Sequence, residues 1–339
     1  MLRLRRATVL AVGPAEPMEQ RLAIQVGEER RTAIADVGLV GASEPGDEVI
    51  VNVEALELRL GSGGFDIVHC NLTRGLDGEG TPRAHVMKLN YTSLQHAVLP
   101  VEEGDDAEAT AAALGLPLGR PVAVLGLHGQ LAPLAWAFAQ ATGGEARLGY
   151  VQTVGGALPG GHSCVVRELR DDGLLAGHLT AGAAFGGADG ESITTAAALH
   201  HGLTQLRWDA VVAGPGPGIL GSGSALGHGG LQALDSLHTA LALGCEALLV
   251  ARMSSTDMRA RPRGLSHHTR TVLDLLLAPV AVAIPAGEQP ADERHEWRAF
   301  PADLDGYAAT GLPTRSMGRE DPLFFAAALA AGTTLAEMT

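Results

Sequence analysis

The sequence predicts an α/β protein in which a small N-terminal β-barrel or sandwich precedes a doubly wound, mainly parallel sheet. Three observations carry this expectation. Short strand-and-turn segments fill the first hundred or so residues, whereas beyond Pro121 apolar strands, glycine-rich turns and alanine-rich helices alternate. The interior must be built from small side chains, because 46% of the chain is hydrophobic while only 4% is aromatic. A length of 339 residues is comfortable as two domains.

In the N-terminal part, "RATVLAV", "RLAIQV", "RTAIADV" and "EPGDEVIVNV" read as short strands, the last fed by a turn at Pro45, Gly46 and Asp47. Strands of this length and spacing suit a small barrel or sandwich. "LGSGGFDIVHCNL" and "AHVMKLNYTSLQHAVLPVEE" read as further strands around the loop "TRGLDGEGTP", with Lys88 and Tyr91 on a strand leading out of the first domain, facing either the surface or a cleft between the domains. The acidic "VEEGDDAEA" marks a boundary, giving a β-rich domain over 1–104 and a Rossmann-like α/β domain over 105–339.

The second domain repeats one pattern. "PVAVLGL" leads into "LAPLAWAFAQATGG" and then "ARLGYVQ"; "ITTAAALHHGLTQL" leads into "DAVVAG"; "LQALDSLHTALALG" into "EALLVA"; and "SHHTRTVLDLLL" into "PVAVAIP". Such alternation implies a parallel sheet with helices on both faces. "SCVVRELRDDGLLAGHL" reads as a hairpin about Asp171, Asp172 and Gly173, and Asp189 and Glu191 as the start of a helix. The tail reads as one strand at "HEWRAF", two short helices and a second strand at "PTRSM".

Charge and composition exclude several functions. The net charge of −14 repels nucleic acid and anionic lipid, and few aromatics are present to stack on bases. Cys70, Cys164 and Cys245 lie far apart with no CxxC, which argues against a disulfide framework or a cysteine zinc site. None of the 13 histidines falls in an HExxH, so no metal is expected. The start "MLRLRRATVLAVGPAEP" has too short an apolar run for a signal peptide, and "LLLAPVAVAIPA" is too short and proline-broken to span a bilayer. A soluble, cytoplasmic protein is expected.

The stretch "WDAVVAGPGPGILGSGSALGHGG", Trp208 to Gly230, raises the question of a phosphate cradle. Gly216, Gly218 and Gly221 satisfy GxGxxG behind the strand that ends near Gly214, the context a dinucleotide site requires. Two prolines, however, remove backbone donors, and no acid closes the following "EALLVARM" strand where a ribose partner belongs. A P-loop lacks its lysine, since Lys88 is the only lysine in the chain. No cofactor is therefore named. The loop either packs tightly across the carboxyl edge of the sheet, needing glycine for positive φ or close approach, or lines a ligand pocket with Ser222, Ser224 and His228 as its polar groups.

"ARMSSTDMRARPRGLSHHTRTVLDLLL" is more informative. From Arg252 to Arg270 five arginines face one acid, Asp257, a local charge of +4 that asks for an anion. Because this loop and the glycine loop each follow a strand of one sheet, both belong to its carboxyl edge, where ligands bind. Ser266 is placed to cap the next helix, setting His267 and His268 in its first turn beside backbone donors. Arg252, Arg259, Arg261 and Arg263 supply forks for a carboxylate or phosphate, Asp257 orients one of them, and His267 or His268 moves the proton. A solvated basic loop with capping histidines is the plainer alternative. His128, in "GLHGQLAP", belongs to the same edge as either a pocket histidine or a helix-entry turn. "GALPGGHS" offers His162 and Ser163 without the GxSxG spacing of a nucleophile elbow.

The run "VVAGPGPGILGSGSALGHGG", "RMSSTDMRARPRGLSHHTRTVL" and "TRSMGREDPLFFAAALAAG", together with "DIVHCNLTRG" and "MKLNYTSLQ", resembles a bacterial family known only as a domain of unknown function. The resemblance extends over nearly the whole chain and implies no activity. The residues themselves suggest a small anionic ligand bound at the carboxyl edge, with His/Arg acid–base chemistry if the protein is an enzyme. The competing class is a noncatalytic ligand sensor or assembly module acting through a domain contact or a homo-oligomer.

Overall fold

The computed structural model describes residues 1–16, 18–60, 63–103, 108–222 and 224–339. It divides into two compact units, Met1–Leu99 and Pro100–Thr339. The boundary expected at 104/105 lies outside the described residues.

In the first unit, β1 (Leu4–Ala15), β2 (Glu19–Val26), β3 (Glu29–Asp36), α1 (Val37–Val40), β4 (Glu48–Asn52), α2 (Glu54–Glu57) and β5 (Asp66–Asn71) follow one another. The strands close into a barrel in the order β1-β2-β3-β5-β4, with β4 returning antiparallel to β1. Alternate residues point inward: Ala7 and Val9, Leu22 and Ile24, Ala33 and Ala35, Val49 and Val51 are all buried, as the two-residue period of a strand requires. Asp47, from the turn before β4, is 1% exposed and takes the Arg74 guanidinium at 2.7 and 2.8 Å, pinning that turn to the end of β5. A hairpin follows, β6 (Val86–Lys88) with β7 (His96–Val98). Lys88 is buried there rather than on a surface strand, because a strand of three residues shows too little alternation to tell its faces apart. Tyr91 lies in the connecting turn, fully exposed.

The second unit runs β8 (Pro121–Val124), α3 (Leu131–Ala141), β9 (Leu148–Thr153), α4 (Cys164–Asp171), β10 (Gly177–Ala181), β11 (Glu191–Ser192), α5 (Thr195–Thr204), β12 (Ala210–Pro215), α6 (Gln232–Ala242), β13 (Glu246–Val250), β14 (Met253–Ser254), β15 (Gly264–Leu265), α7 (His267–Leu275), β16 (Ala281–Pro285), β17 (Glu296–Phe300), α8 (Leu304–Ala308) and α9 (Pro322–Glu337). Eight strands form one all-parallel sheet in the order β11-β10-β9-β12-β8-β13-β16-β17, and β14 pairs with β15 in a separate ribbon. Both faces are covered, which is why the central strands read as unbroken apolar runs. Ala123 and Leu125 face α3, α4, α8 and α9, while Val122 and Val124 face α5, α6 and α7. This is the doubly wound α/β fold that the strand–helix alternation predicts.

The winding places a crevice. From β8 the chain leaves toward α3 on one face, whereas its neighbours β12 and β13 lead to α6 and α7 on the other. Loops that diverge from adjacent strands open a gap at the carboxyl edge, the usual ligand position in such sheets.

Three local expectations are corrected. The segment read as a hairpin about Asp171, Asp172 and Gly173 is the helix α4 followed by β10. Its "CVV" start suggested a strand, but Val166 and Leu169 sit one helical turn apart on the buried face, and Gly173, at φ 73°, is the left-handed residue that ends the helix. Asp189 and Glu191 do not begin a helix: Glu191 is in β11, Asp189 accepts the His178 backbone N–H at 2.8 Å, and α5 starts after its Thr194 cap. At "PTRSM" there is an isolated bridge, Ser316 to Arg319, in place of a strand, and the last helix is long, 16 residues. α9 is buried nearly all round because it lies against both α3 and the sheet, so it shows no polar face to mark its extent.

Candidate functional site

Local sequence fixes the frame. Ser266 caps α7, its Oγ accepting from the His268 N–H at 3.3 Å, and this sets His267 and His268 in the first turn. His228, at the end of the glycine loop, caps a short 3-10 turn before α6, with Nδ1 accepting from the Gly230 N–H at 3.0 Å. That bond leaves the His228 proton on Nε2. The two segments meet: His228 stacks on His268 with centroids 3.6 Å apart, and His267 lies 3.8 Å from His268.

Beside the stack lies the arginine cluster. Asp257, fully buried, receives Arg259 through two bonds at 3.0 and 2.9 Å, Arg319 at 3.1 Å and Arg252 at 3.6 Å. Arg263 donates to the Asp257 carbonyl at 3.3 and 3.2 Å, and the Arg261 carbonyl accepts from the His267 N–H at 3.1 Å. Arg252 is itself 5% exposed, its backbone N–H held by Thr269 Oγ1 at 3.0 Å and its Nη1 3.4 Å from Ser266 Oγ. Three guanidiniums on one carboxylate leave positive charge over. Asp321 adds a second acid nearby, but it is engaged by Ser254 Oγ and by the Ser255 N–H and Oγ, at 2.8 and 3.0 Å for the latter two.

These contacts set the protonation states. The hydrogen bonds from Arg259 hold the Asp257 carboxyl far below its usual range. Burial, then the nearby Arg252 charge, pushes His228 down to about 4, and burial, then His228, pushes His268 down to about 3. His267 is lowered as well, mainly by burial. Neutral rings explain how three histidines stack beside arginines. Burial also lowers Arg252, with Asp257 opposing.

A small cavity opens here, ≈ 20 Å³, lined by Gly126, Leu127, His228, Gly230, Arg252 and His268 among others. That is room for about one water or one ligand oxygen. Its lining comes from the loops after β8, β12 and β13, the crevice described above. Around it, Arg252 Nε, Arg319 Nε and the Nδ1 atoms of His267 and His268 are buried without a hydrogen-bond partner. The two guanidinium Nε–H groups are unused buried donors, and beside excess positive charge they are what an anion would satisfy.

Other expected residues lie outside this cluster. Gly214 and Gly216 are spaced by packing: a Cβ on the first would sit 2.7 Å from Leu125 Cβ, and on the second 2.4 Å from the Ala157 carbonyl oxygen. Gly218 supplies a φ of 70°, and Gly221 bridges antiparallel to His228. Ser222 and Ser224 are exposed and bond each other at 3.2 Å. Since α6 begins only at Gln232, the GxGxxG run does not open a helix, and the dinucleotide reading lacks its phosphate-binding N-terminus. His128 points to the other face, its Nε2 2.8 Å from Ser163 Oγ. Sequence reasoning missed Arg319 and Asp321. The polar run "RSMGRED" immediately before a proline-started apolar helix was the available signal. Among the described residues, no group of three or more His, Cys, Asp or Glu is arranged to hold a metal, and no helix is long and apolar enough to cross a membrane.

A family model described as "Protein of unknown function (DUF3866)" matches residues 32–332, the extent that the motif resemblance implies. No curated protein and no solved structure matches the chain.

Proposed function

The chain belongs to the DUF3866 family, whose description carries no activity, and on the geometry of its own residues we propose that it binds a small anionic metabolite, bearing phosphate or carboxylate, at the carboxyl edge of the α/β sheet. One observation carries the reading: a buried arginine, Arg252, with an unpartnered Nε, beside a carboxylate already shared by Arg259 and Arg319. An anion there supplies the missing charge and the missing acceptor together. One of its oxygens fits the cavity. The flanking loops carry exposed Leu220, Leu226 and Met258, apolar surface for the remainder of the ligand.

As an enzyme, the protein uses His268 or His267 as the group that moves a proton, both rings being held in the unprotonated form chiefly by burial. Asp257 serves the arginines rather than the substrate, since its oxygens are taken by guanidiniums. The size of the cavity favours a second reading, a noncatalytic sensor, because it admits one anionic group and not a whole reacting molecule. A thermal-shift series with phosphate, sugar phosphates and carboxylic acids on wild type, Arg259→Ala and His268→Ala tests the site. A ligand at 100 times its dissociation constant stabilises by about 2.7 kcal/mol. Stabilisation of wild type that both variants lose supports the reading, and equal stabilisation of all three removes it. Turnover of the stabilising compound then selects the enzyme, and a ligand-dependent change of oligomeric state without turnover selects the sensor.

A further inference from the structure

On the opposite face of the loop after β8, a second polar cluster is unused by the anion site. His128 Nε2 lies 2.8 Å from Ser163 Oγ, and His128 Nδ1 lies 3.3 Å from the Tyr150 hydroxyl. The Tyr150 hydroxyl donates to the Gly214 and Pro215 carbonyls at 3.1 and 3.0 Å, so its oxygen is left to accept from His128 Nδ1–H. Ser163 Oγ accepts the Val166 N–H at 3.2 Å, which directs its own proton to Nε2. Each bond fixes the next. The result is a serine hydroxyl donating to an unprotonated ring nitrogen whose far side is oriented by a third group, the arrangement that activates a hydroxyl nucleophile.

Two further observations point to a ligand. Ser163 is the N-cap of α4, so the N–H groups of Cys164 and Val165, in the first turn beside Oγ, have no carbonyl within the helix to bond. His178, 1% exposed and stacked on Tyr150 at 5.3 Å, has an Nε2 with no partner, and it lies against the loop leading to Ser163, where a Cβ on Gly160 would sit 2.7 Å from its ring. Although Ser163 is itself buried, Cys164 beside it is exposed, which puts solvent one residue away. Burial holds His128 neutral, down to about 4.

The geometry points to Ser163 and His128 as nucleophile and base of a site that hydrolyses small carboxylic esters. Ser163 Oγ bonds to the ester carbon as its proton passes to His128 Nε2, and the carbonyl oxygen becomes an oxyanion facing the first N–H groups of α4. Collapse breaks the bond to the alkoxide, which leaves with the proton from Nε2. Water then attacks the acyl-serine, giving its proton to Nε2, and Ser163 recovers that proton as the acid departs. Tyr150 is the positioning residue, holding the ring's tautomer. It carries no charge to stabilise the imidazolium, so a slower reaction than that of a carboxylate-backed triad is expected.

The folded wild-type chain, treated with a fluorophosphonate in excess, decides the matter. The serine oxygen displaces fluoride from phosphorus, and one adduct is expected, mapped to Ser163 by peptide mass spectrometry. His128→Ala should slow labelling by about 10²-fold or more. Ser163→Ala, which loses only the Oγ and its capping bond and is checked for its fold by circular dichroism, should take no label and lose p-nitrophenyl acetate hydrolysis. Absence of an adduct on Ser163 in the wild type, or unchanged labelling in His128→Ala, overturns the assignment. The anion reading uses none of these three residues, so either can fail alone.

Discussion

Asp257→Asn is the sharpest probe of the arginine cluster, because it deletes one charge without changing shape. Asp257 is 0% exposed and Arg252 5% exposed, so the substitution leaves a buried guanidinium beside Asp321, an acid already bonded to Ser254 and Ser255. Breaking a buried ion pair from one side costs about 3–5 kcal/mol. The Arg259 side chain, 65% exposed, can turn to solvent and adds little. We therefore expect about 3 kcal/mol, a fall in Tm of roughly 6–12 °C for a unit of this size. Tryptophan fluorescence isolates the event, since all three tryptophans, Trp136, Trp208 and Trp297, belong to the second unit. Adding Arg252→Met to Asp257→Asn should restore much of the loss by removing the stranded charge. A loss under about 0.5 kcal/mol, the scale of an ordinary surface change, refutes the claim that Asp257 neutralises a buried cation.

Acid should weaken the same unit. His228 and His268 have folded pKa values of about 4 and about 3, below the ordinary 6.5, so the unfolded chain binds more protons and stability falls as pH drops from about 6.5 toward 4; urea midpoints that stay level over that window contradict this. Arg319→Ala, which removes a cation from the shared carboxylate, should weaken phosphate binding about tenfold with little change in fold, read by calorimetry. Gly149→Ala should be poorly tolerated, because its Cβ would fall 1.8 Å from the ring of Trp208, itself 2% exposed; a Tm within 2 °C or so of wild type would contradict the packing.

What was legible in the sequence was whatever is local or periodic. Strand–helix alternation announced the parallel sheet, and inward alternation in "DEVIVNV" the barrel wall. The glycine loop and the arginine segment stood out by composition, and their meeting at the His228–His268 stack follows from both trailing strands of one sheet. What was hidden is long-range or ambiguous in period. Arg319 reaches Asp257 across 62 positions, and Ser163 reaches His128 across 35. Tyr150 and His178 left a fainter trace, polar residues inside strands that are otherwise buried and apolar. The α4 segment failed for a different reason: two successive valines favour a strand locally, and only packing of Val166 and Leu169 against α3 and the sheet settles the helix.

If Arg252 and its histidine neighbours hold an anion, removing the buried charge must abolish binding. Isothermal titration of inorganic phosphate into the wild-type chain and into Arg252→Met measures this, since methionine fills the buried space without the charge. Saturable binding to the wild type at one site per chain is expected, and its loss in the variant while the fold is kept. Equal binding by both proteins, or no binding by the wild type to phosphate or to any carboxylate tried in its place, would contradict it.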